Sequence, residues 1–153
     1  MTDMLQSTFD EGLRRAFMDY FAELGVTVRR WDALFDELDR ADNTILVRRD
    51  DAGTIVGFAL LTCREMSGGF YAASVGSVDE LYVAPDHRGQ GHGRGLLAAA
   101  ENHLRRLGCG FVLLTSDNAG DFYRRCGYRR EPRIHAKNSD PVFVKALEPA
   151  ARM

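Results

Sequence analysis

Four glycines at alternate positions, Gly89, Gly91, Gly93 and Gly95, stand just before a helix-forming stretch of this chain. Glycine destabilises regular structure by roughly 0.5–1 kcal/mol relative to alanine, so such a run indicates a backbone shape that other residues adopt poorly. The β-rich segment SVDELYVA precedes the glycines, and LLAAAENHLRRLG follows them with apolar residues at helical spacing. This order of strand, glycine loop and helix constrains the fold more than any other feature.

A loop of this kind presents backbone N–H groups at the positive end of a helix dipole, where phosphates bind. The dinucleotide-binding pattern GxGxxG does not fit, because the glycine required after Gly91 and Gly93 falls on Leu96. The P-loop pattern does not fit either, since no Gly-Lys-Ser/Thr follows the glycines. The loop therefore predicts a phosphate site of another class.

Two amphipathic helices are predicted before this loop, over residues 8–24 with Thr8 as the N-cap and Gly25 at the end, and over residues 31–40. The hydrophobic period then changes to that of strands. NTILVRRD and TIVGFALLTCRE predict a hairpin joined by DDAG, and a further strand covers about 70–83.

After the loop and its helix, GFVLLTS is apolar without alternation, which predicts a strand buried on both faces beside a parallel neighbour. DNAGDFYRRCG predicts a short helix that begins near Ser116 or Asp117, and YRREPRIH and PVFVKAL predict two closing strands. The centre is thus a right-handed βαβ unit within a mixed sheet. The predicted fold class is α/β, in one domain of residues 1–153.

The composition argues against several function classes. A net charge of −2 and a pI of about 6.1 give no overall attraction to nucleic acid. Paired arginines such as Arg48-Arg49 are interpreted as solvated pairs. The apolar runs are far shorter than the ~20 residues of a membrane-spanning helix, and no signal peptide opens the chain. Three cysteines without CxxC spacing favour a reduced, cytoplasmic setting, and four histidines without ligand spacing predict no metal site.

The segment Arg88 to Gly93, read as R-x-x-G-x-G and preceded by VDELYVAP, resembles the acetyl-coenzyme A signature of the GNAT (GCN5-related) superfamily of N-acetyltransferases. Downstream, FYRRCGY is similar to the FY-x-x-x-GF segment that follows the fifth strand of that family. The resemblance covers about 43–147. It is weaker before that range, where the family usually begins with a strand and residues 1–7 offer at most a short one.

The resemblance implies acetyl-coenzyme A as co-substrate, with its pyrophosphate on the loop amides and its pantetheine arm paired, like an added strand, with a strand that splays away from strand 110–115. The family often has asparagine seven residues before its tyrosine, where this chain has Ser116. The side chain of His92 is interpreted as a spacer that faces solvent. The implied cofactor-binding residues are Leu81, Tyr82, Val83, Arg88, Gly89, Gln90, Gly91, His92, Gly93, Arg94, Gly95, Ser116, Asn118 and Tyr123.

Acetyl transfer to an amine needs a base, because a lysine-like amine has a pKa of ~10.4 and is mostly protonated at neutral pH. Asp79 and Glu80 are adjacent on a strand and are expected on opposite faces. Asp79 is expected on the same face of the strand as Leu81 and is slightly preferred as the base. For both carboxylates, the alternative is a solvated or ion-paired side chain without a catalytic role. Tyr123 matches the tyrosine that the family places near the thioester sulfur and is the candidate acid, with simple aromatic packing as the alternative.

The implied function is an N-acetyltransferase that moves the acetyl group of acetyl-coenzyme A to a primary amine by direct attack in a ternary complex. A catalytically weak acyl-coenzyme A-binding regulatory module with the same fold is the alternative. The acceptor is a small-molecule or peptide amine, and neither nucleic acid nor a membrane is expected as a partner. Residues 1–42 are expected to form part of the acceptor site, and residues 43–147 the core sheet and acetyl-coenzyme A site. Homodimers are common in the family.

Overall fold

The computed structural model describes residues 1–41 and 43–149. Asp42 and residues 150–153, which the predicted domain includes, lie outside the described residues. A short 3₁₀ turn, Pro85–His87, joins the longer elements. The strands are β1 Thr2–Gln6, β2 Thr44–Arg49, β3 Ile55–Ser67, β4 Ala72–Val83, β5 Cys109–Thr115, β6 Arg129–Arg130 and β7 Val142–Ala146, and the helices are α1 Glu11–Glu23, α2 Trp31–Arg40, α3 His92–Arg106 and α4 Gly120–Arg125.

The strands form one seven-stranded sheet in the order β1-β2-β3-β4-β5-β7-β6. β4 and β5 are parallel, and their ladder pairs residues 74–77 with residues 109–113, while β4 continues to Val83. Antiparallel pairing joins β1 to β2, β2 to β3, β5 to β7 and β6 to β7. The expected mixed sheet with a parallel pair around a helix is confirmed. Within the described ranges, no helix is both long and apolar enough to cross a bilayer.

The first residues of the chain contribute a strand. β1 pairs over its whole length with β2, from Thr2 opposite Arg49 to Gln6 opposite Ile45. Residues 1–7 thus contain the short strand that the sequence allowed. Residues 1–42 consequently supply sheet as well as helices.

Two compact units divide the chain, and the first contains residues 1–61 and 80–97. Its core is aromatic: Phe17 on α1 lies 5.2 Å from Phe9 and 5.6 Å from Phe58, measured between ring centroids. Trp31 stacks on Phe35 of the same helix at 5.5 Å. These rings belong to one buried cluster because the apolar faces of α1 and α2 cover the same sheet face.

The N-cap of α1 differs from the prediction. Asp10, rather than Thr8, caps the helix, since its carboxylate accepts a hydrogen bond of 2.9 Å from the N–H of Leu13. The helix ends before Gly25, which takes a φ of +73°, as the sequence indicated.

The second unit contains residues 62–79 and 98–149 of the described chain. Its core includes a buried polar network around Glu101 of α3. This carboxylate accepts hydrogen bonds of 2.8 Å from both the Tyr128 hydroxyl and the Lys145 ammonium. Burial and the nearby Glu101 charge raise the pKa of Tyr128, so its phenol stays neutral.

Three predictions in this unit are wrong in detail. Of the closing strand predicted over YRREPRIH, only Arg129–Arg130 forms, as β6. β5 is not buried on both faces: Val112 is fully buried, but Phe111 is 47% exposed. α4 begins at Gly120 instead of near Ser116, because the Ser116 hydroxyl accepts a hydrogen bond of 2.9 Å from the N–H of Ala119 and holds a turn before the helix.

Candidate functional site

The glycine loop, residues 88–95, leads from the end of β4 into α3. Gly89 and Gly91 have φ values of +75° and +86°, in the left-handed region that favours glycine. Two of the four glycines are thus required by the path of the loop. His92 begins α3, so Gly93 lies inside its first turn.

The start of α3 offers donors to an anion. The N–H of Gly95 donates to the Gly91 carbonyl over 3.0 Å, and the N–H groups of residues 92–94 precede this bond. Such first-turn N–H groups have no acceptor within their own helix. No acidic residue lies in that turn, so nothing there opposes a negative ligand. These open donors, with no acidic residue beside them, are the features that an anion site at a helix start requires.

The side chain of Arg88 ties the glycine loop to its own unit. Its Nε donates to the Val83 carbonyl over 2.9 Å, and its Nη2 donates to the Glu23 carboxylate of α1 over 2.7 Å. The hydrogen bond from Arg88 lowers the pKa of Glu23. Arg88 thereby uses one of the two lone pairs of the Val83 carbonyl.

Glu80 lies half-buried in the first unit, where the Tyr20 hydroxyl donates a hydrogen bond to its carboxylate. The Tyr20 ring packs 5.3 Å from the ring of Tyr82. Burial, followed by the charges of Glu23 and Asp19, raises the pKa of Tyr82. Carboxylates of α1 (Asp19 and Glu23) and of β4 (Glu80) thus lie near the phenol rings of this unit.

Asp79 is the last residue of β4 in the second unit and is exposed. Its carboxylate accepts hydrogen bonds from two hydroxyls, Ser77 at 2.9 Å and Thr62 at 3.2 Å. The two hydroxyl donors orient the Asp79 carboxylate, which stays exposed to water.

Tyr123 lies in α4 of the second unit, with only 9% of its surface exposed. Its ring meets Phe122 at 5.1 Å, Tyr128 at 5.9 Å and Phe143 at 6.3 Å. Ser116 is half-buried with its hydroxyl engaged in the turn before α4, whereas Asn118 is exposed. The aromatic packing fixes the orientation of the Tyr123 ring.

The interpretation of His92 as a solvent-facing spacer is wrong. The side chain is half-buried, and its Nδ1 lies 3.3 Å from Nη1 of Arg48 on β2. Arg48 is also bound to Asp3 of β1, so it is not a solvated arginine. No sequence pattern indicates this contact beyond the position of a histidine within the loop. Within the described residues, no group of three His, Cys, Asp or Glu side chains is placed to hold a metal ion.

The sequence profile of the acetyltransferase (GNAT) family matches residues 3–128. This chain belongs to the GNAT acetyltransferase family. It is 31% identical over 127 residues to the aminoglycoside N(6′)-acetyltransferase type 1 of Stenotrophomonas maltophilia, a match that covers 78% of each protein. It is also 38% identical over 88 residues to the mycothiol acetyltransferase of Propionibacterium freudenreichii, over 55% of this chain but only 27% of that protein.

Solved structures show the same fold for this GNAT protein. Tetrahymena GCN5 superimposes with a TM-score of 0.70 at 11% identity, over 100% of both chains. The N-acetylglutamate synthase of Neisseria gonorrhoeae, complexed with coenzyme A and N-acetyl-glutamate, gives a TM-score of 0.69 at 18% identity. That match covers 97% of this chain and 36% of the synthase. The resemblance drawn from the sequence motifs is therefore confirmed.

Proposed function

We propose that this GNAT protein transfers the acetyl group of acetyl-coenzyme A to a primary amine by direct attack in a ternary complex. The glycine loop carries the proposal: a strand, two left-handed glycines and the open start of α3 form an anion site. This loop lies within the part of the chain that matches the family profile. The backbone N–H groups of residues 89–94 would hold the pyrophosphate, and the main chain of residues 81–83 the pantetheine arm.

The bound cofactor would supply an acetyl group activated as a thioester. Asp79, or Glu80 in its place, would take the proton of the attacking amine through water. The main-chain N–H of Leu81 would stabilise the negative charge that develops on the acyl oxygen. Tyr123 would protonate the departing thiolate; a thiol of pKa ~8.5 leaves readily, so a weak acid suffices.

A small cationic amine is the proposed acceptor. The relative that shares 78% of its length with this chain is named for aminoglycosides, which carry several amino groups. In the first unit, Asp19 and Glu23 of α1 lie near enough to Tyr82 to raise the pKa of its phenol. Glu23 is paired with Arg88, so Asp19 would supply the attraction for a positively charged acceptor.

Turnover with a panel of amines tests this function. Polyamines, aminoglycosides, amino acids and short peptides are each supplied with acetyl-coenzyme A, and released thiol is recorded against an acceptor-free control. We expect thiol release with at least one cationic small molecule, and an acetylated product by mass spectrometry. Calorimetry on the same protein should give a coenzyme A Kd near ~1 μM, about −8 kcal/mol. Tight binding without any turnover would contradict the enzyme and favour a binding module.

A further inference from the structure

Asp3 and Arg48 form a bidentate ion pair in the first unit. Arg48 Nε lies 2.7 Å from Asp3 Oδ1, and Nη2 lies 2.9 Å from Oδ2. The two residues stand directly opposite one another on β1 and β2, and the arginine side chain is only 15% exposed. Paired bonds of this kind fix the plane of a guanidinium as well as its charge.

The remaining Nη1 of Arg48 lies 3.3 Å from Nδ1 of His92. A guanidinium carries only donors and keeps its proton, so Nδ1 of His92 must be the acceptor. This contact assigns the neutral tautomer of His92 with its proton on Nε2. Protonated His92 would present an N–H to the N–H of Arg48, and the bond would be lost.

Gly95 shows how closely Arg48 approaches the helix. A Cβ built on Gly95 would lie 2.6 Å from Nη1 and 2.8 Å from Nη2 of Arg48. His92 and Gly95 are three residues apart on α3 and therefore share one side of its first turn. The guanidinium of Arg48 thus packs against the first turn of α3, the turn that supplies the proposed pyrophosphate donors.

Two basic side chains lie near His92. Arg48 faces it from β2, and the His87 ring of the 3₁₀ turn lies 6.0 Å away. The carboxylate of Asp3 contacts Arg48, and its hydrogen bond raises the pKa of Arg48. Arg48 therefore stays protonated and remains a donor to Nδ1 of His92.

We propose that Asp3 and Arg48 are positioning residues for coenzyme A: they hold neutral His92, and with it the first turn of α3, in the arrangement that receives the pyrophosphate. The inference rests on the proposed function, in which the glycine loop binds this cofactor. Loss of either contact of Arg48, to Asp3 or to His92, should therefore lower coenzyme A affinity.

The test measures binding of dephospho-coenzyme A by calorimetry. This ligand lacks the 3′-phosphate and keeps the pyrophosphate, so its affinity reports on the glycine loop rather than on a second phosphate site. Wild type should bind it with a measurable affinity, against which the variants are compared.

Two variants test the link. Arg48→Met should weaken binding about tenfold, because it removes both the ion pair with Asp3 and the contact with His92. His92→Ala removes the acceptor but leaves the Asp3–Arg48 pair, so it should weaken binding in the same direction. Arg49→Met is the matched control: Arg49 follows on the same strand but pairs with Asp10 and Gln6, so its loss should leave the affinity at the wild-type value.

A ligand-free measurement keeps the inference separate from the proposed function. Nitrogen NMR of His92 in the unliganded protein should report the Nε2–H tautomer, and Arg48→Met should show a mixture. Asp3→Asn replaces Arg48→Met if the latter does not fold, and should weaken binding in the same direction. Wild type that binds no dephospho-coenzyme A overturns the proposed function. Binding with an Nδ1–H tautomer, or with Arg48→Met equal to wild type, overturns the positioning role alone.

Discussion

At the residue scale, two neighbouring carboxylates are held by different partners. Asp79 is exposed and receives two hydroxyl donors, whereas Glu80 is half-buried and receives the Tyr20 phenol. Water reaches Asp79 freely, so a proton taken through water favours this residue as the base.

Asp79→Asn keeps the shape of the carboxylate and removes its basicity. We expect kcat to fall at neutral pH, within the ~10²–10⁴-fold range of general base catalysis, and the acidic limb of the pH–rate profile to disappear. Coenzyme A affinity should not change. Glu80→Gln is the matched comparison, and a profile altered only in that variant would transfer the role to Glu80.

Tyr123→Phe deletes one hydroxyl and keeps the ring among Phe122, Tyr128 and Phe143. We expect kcat to fall by about 10²-fold or less, because a thiolate leaves fairly well without an acid. Cofactor affinity should persist. Tyr71→Phe, at an exposed tyrosine, controls for a general effect of the substitution. Full kcat in single-turnover kinetics would make Tyr123 a packing residue.

Glu131 gives a prediction for acid stability. The hydrogen bond and charge of Arg133 lower its pKa to about 2. A lowered pKa in the folded state stabilises the protein above the unfolded value, near ~4.3, and this contribution is lost as the pH falls toward about 2. Arg133→Gln should therefore lower the urea midpoint at pH 6 more than at pH 3. Equal losses at both values would show that the pair does not act through its charge.

At the scale of elements, the glycine loop owes its path to residues with positive φ. Gly91→Ala meets no atom within 4 Å but forces alanine to a φ of +86°. We expect about 1 kcal/mol less stability and a clear loss of coenzyme A affinity. Gly53→Ala, at a φ of +85° in the β2–β3 turn, introduces the same strain away from the loop. If it weakened coenzyme A as much, the loop assignment would fail.

Periodicity predicted the elements that depend on local sequence. The spacing of Trp31 and Phe35 marked α2, and the glycine run marked the start of α3. β1 was harder to predict, because an exposed strand with little alternation forms only through its partner β2. The prediction that β5 is buried on both faces was wrong, since its apolar residues include the exposed Phe111.

The candidate site likewise has features that the sequence predicts and features that it does not. The glycine loop was predictable because its residues are contiguous and each glycine has a local meaning. The contacts that link Asp3 to Arg48 and Arg48 to His92 were not predictable. Each pair is separated by more than forty residues in the sequence and meets only in the folded protein. The same holds for the Tyr20 bond to Glu80.

At the scale of the whole molecule, the two compact units share three elements. β3, β4 and α3 each begin in one unit and end in the other. Neither unit is a continuous stretch of chain, so a cut between them would sever strands and a helix. We therefore expect the chain to unfold as one cooperative domain.

The fluorescence of Trp31, whose ring stacks on Phe35, can be used to follow unfolding. Trp31 is the only tryptophan in the sequence and lies in the first unit, so its emission follows that unit alone. Circular dichroism in the far ultraviolet follows the helices and strands of both units. In urea, the two signals should change with the same midpoint and slope, and Trp31→Phe should remove only the emission. Midpoints that differ between the signals would reveal two independently melting units.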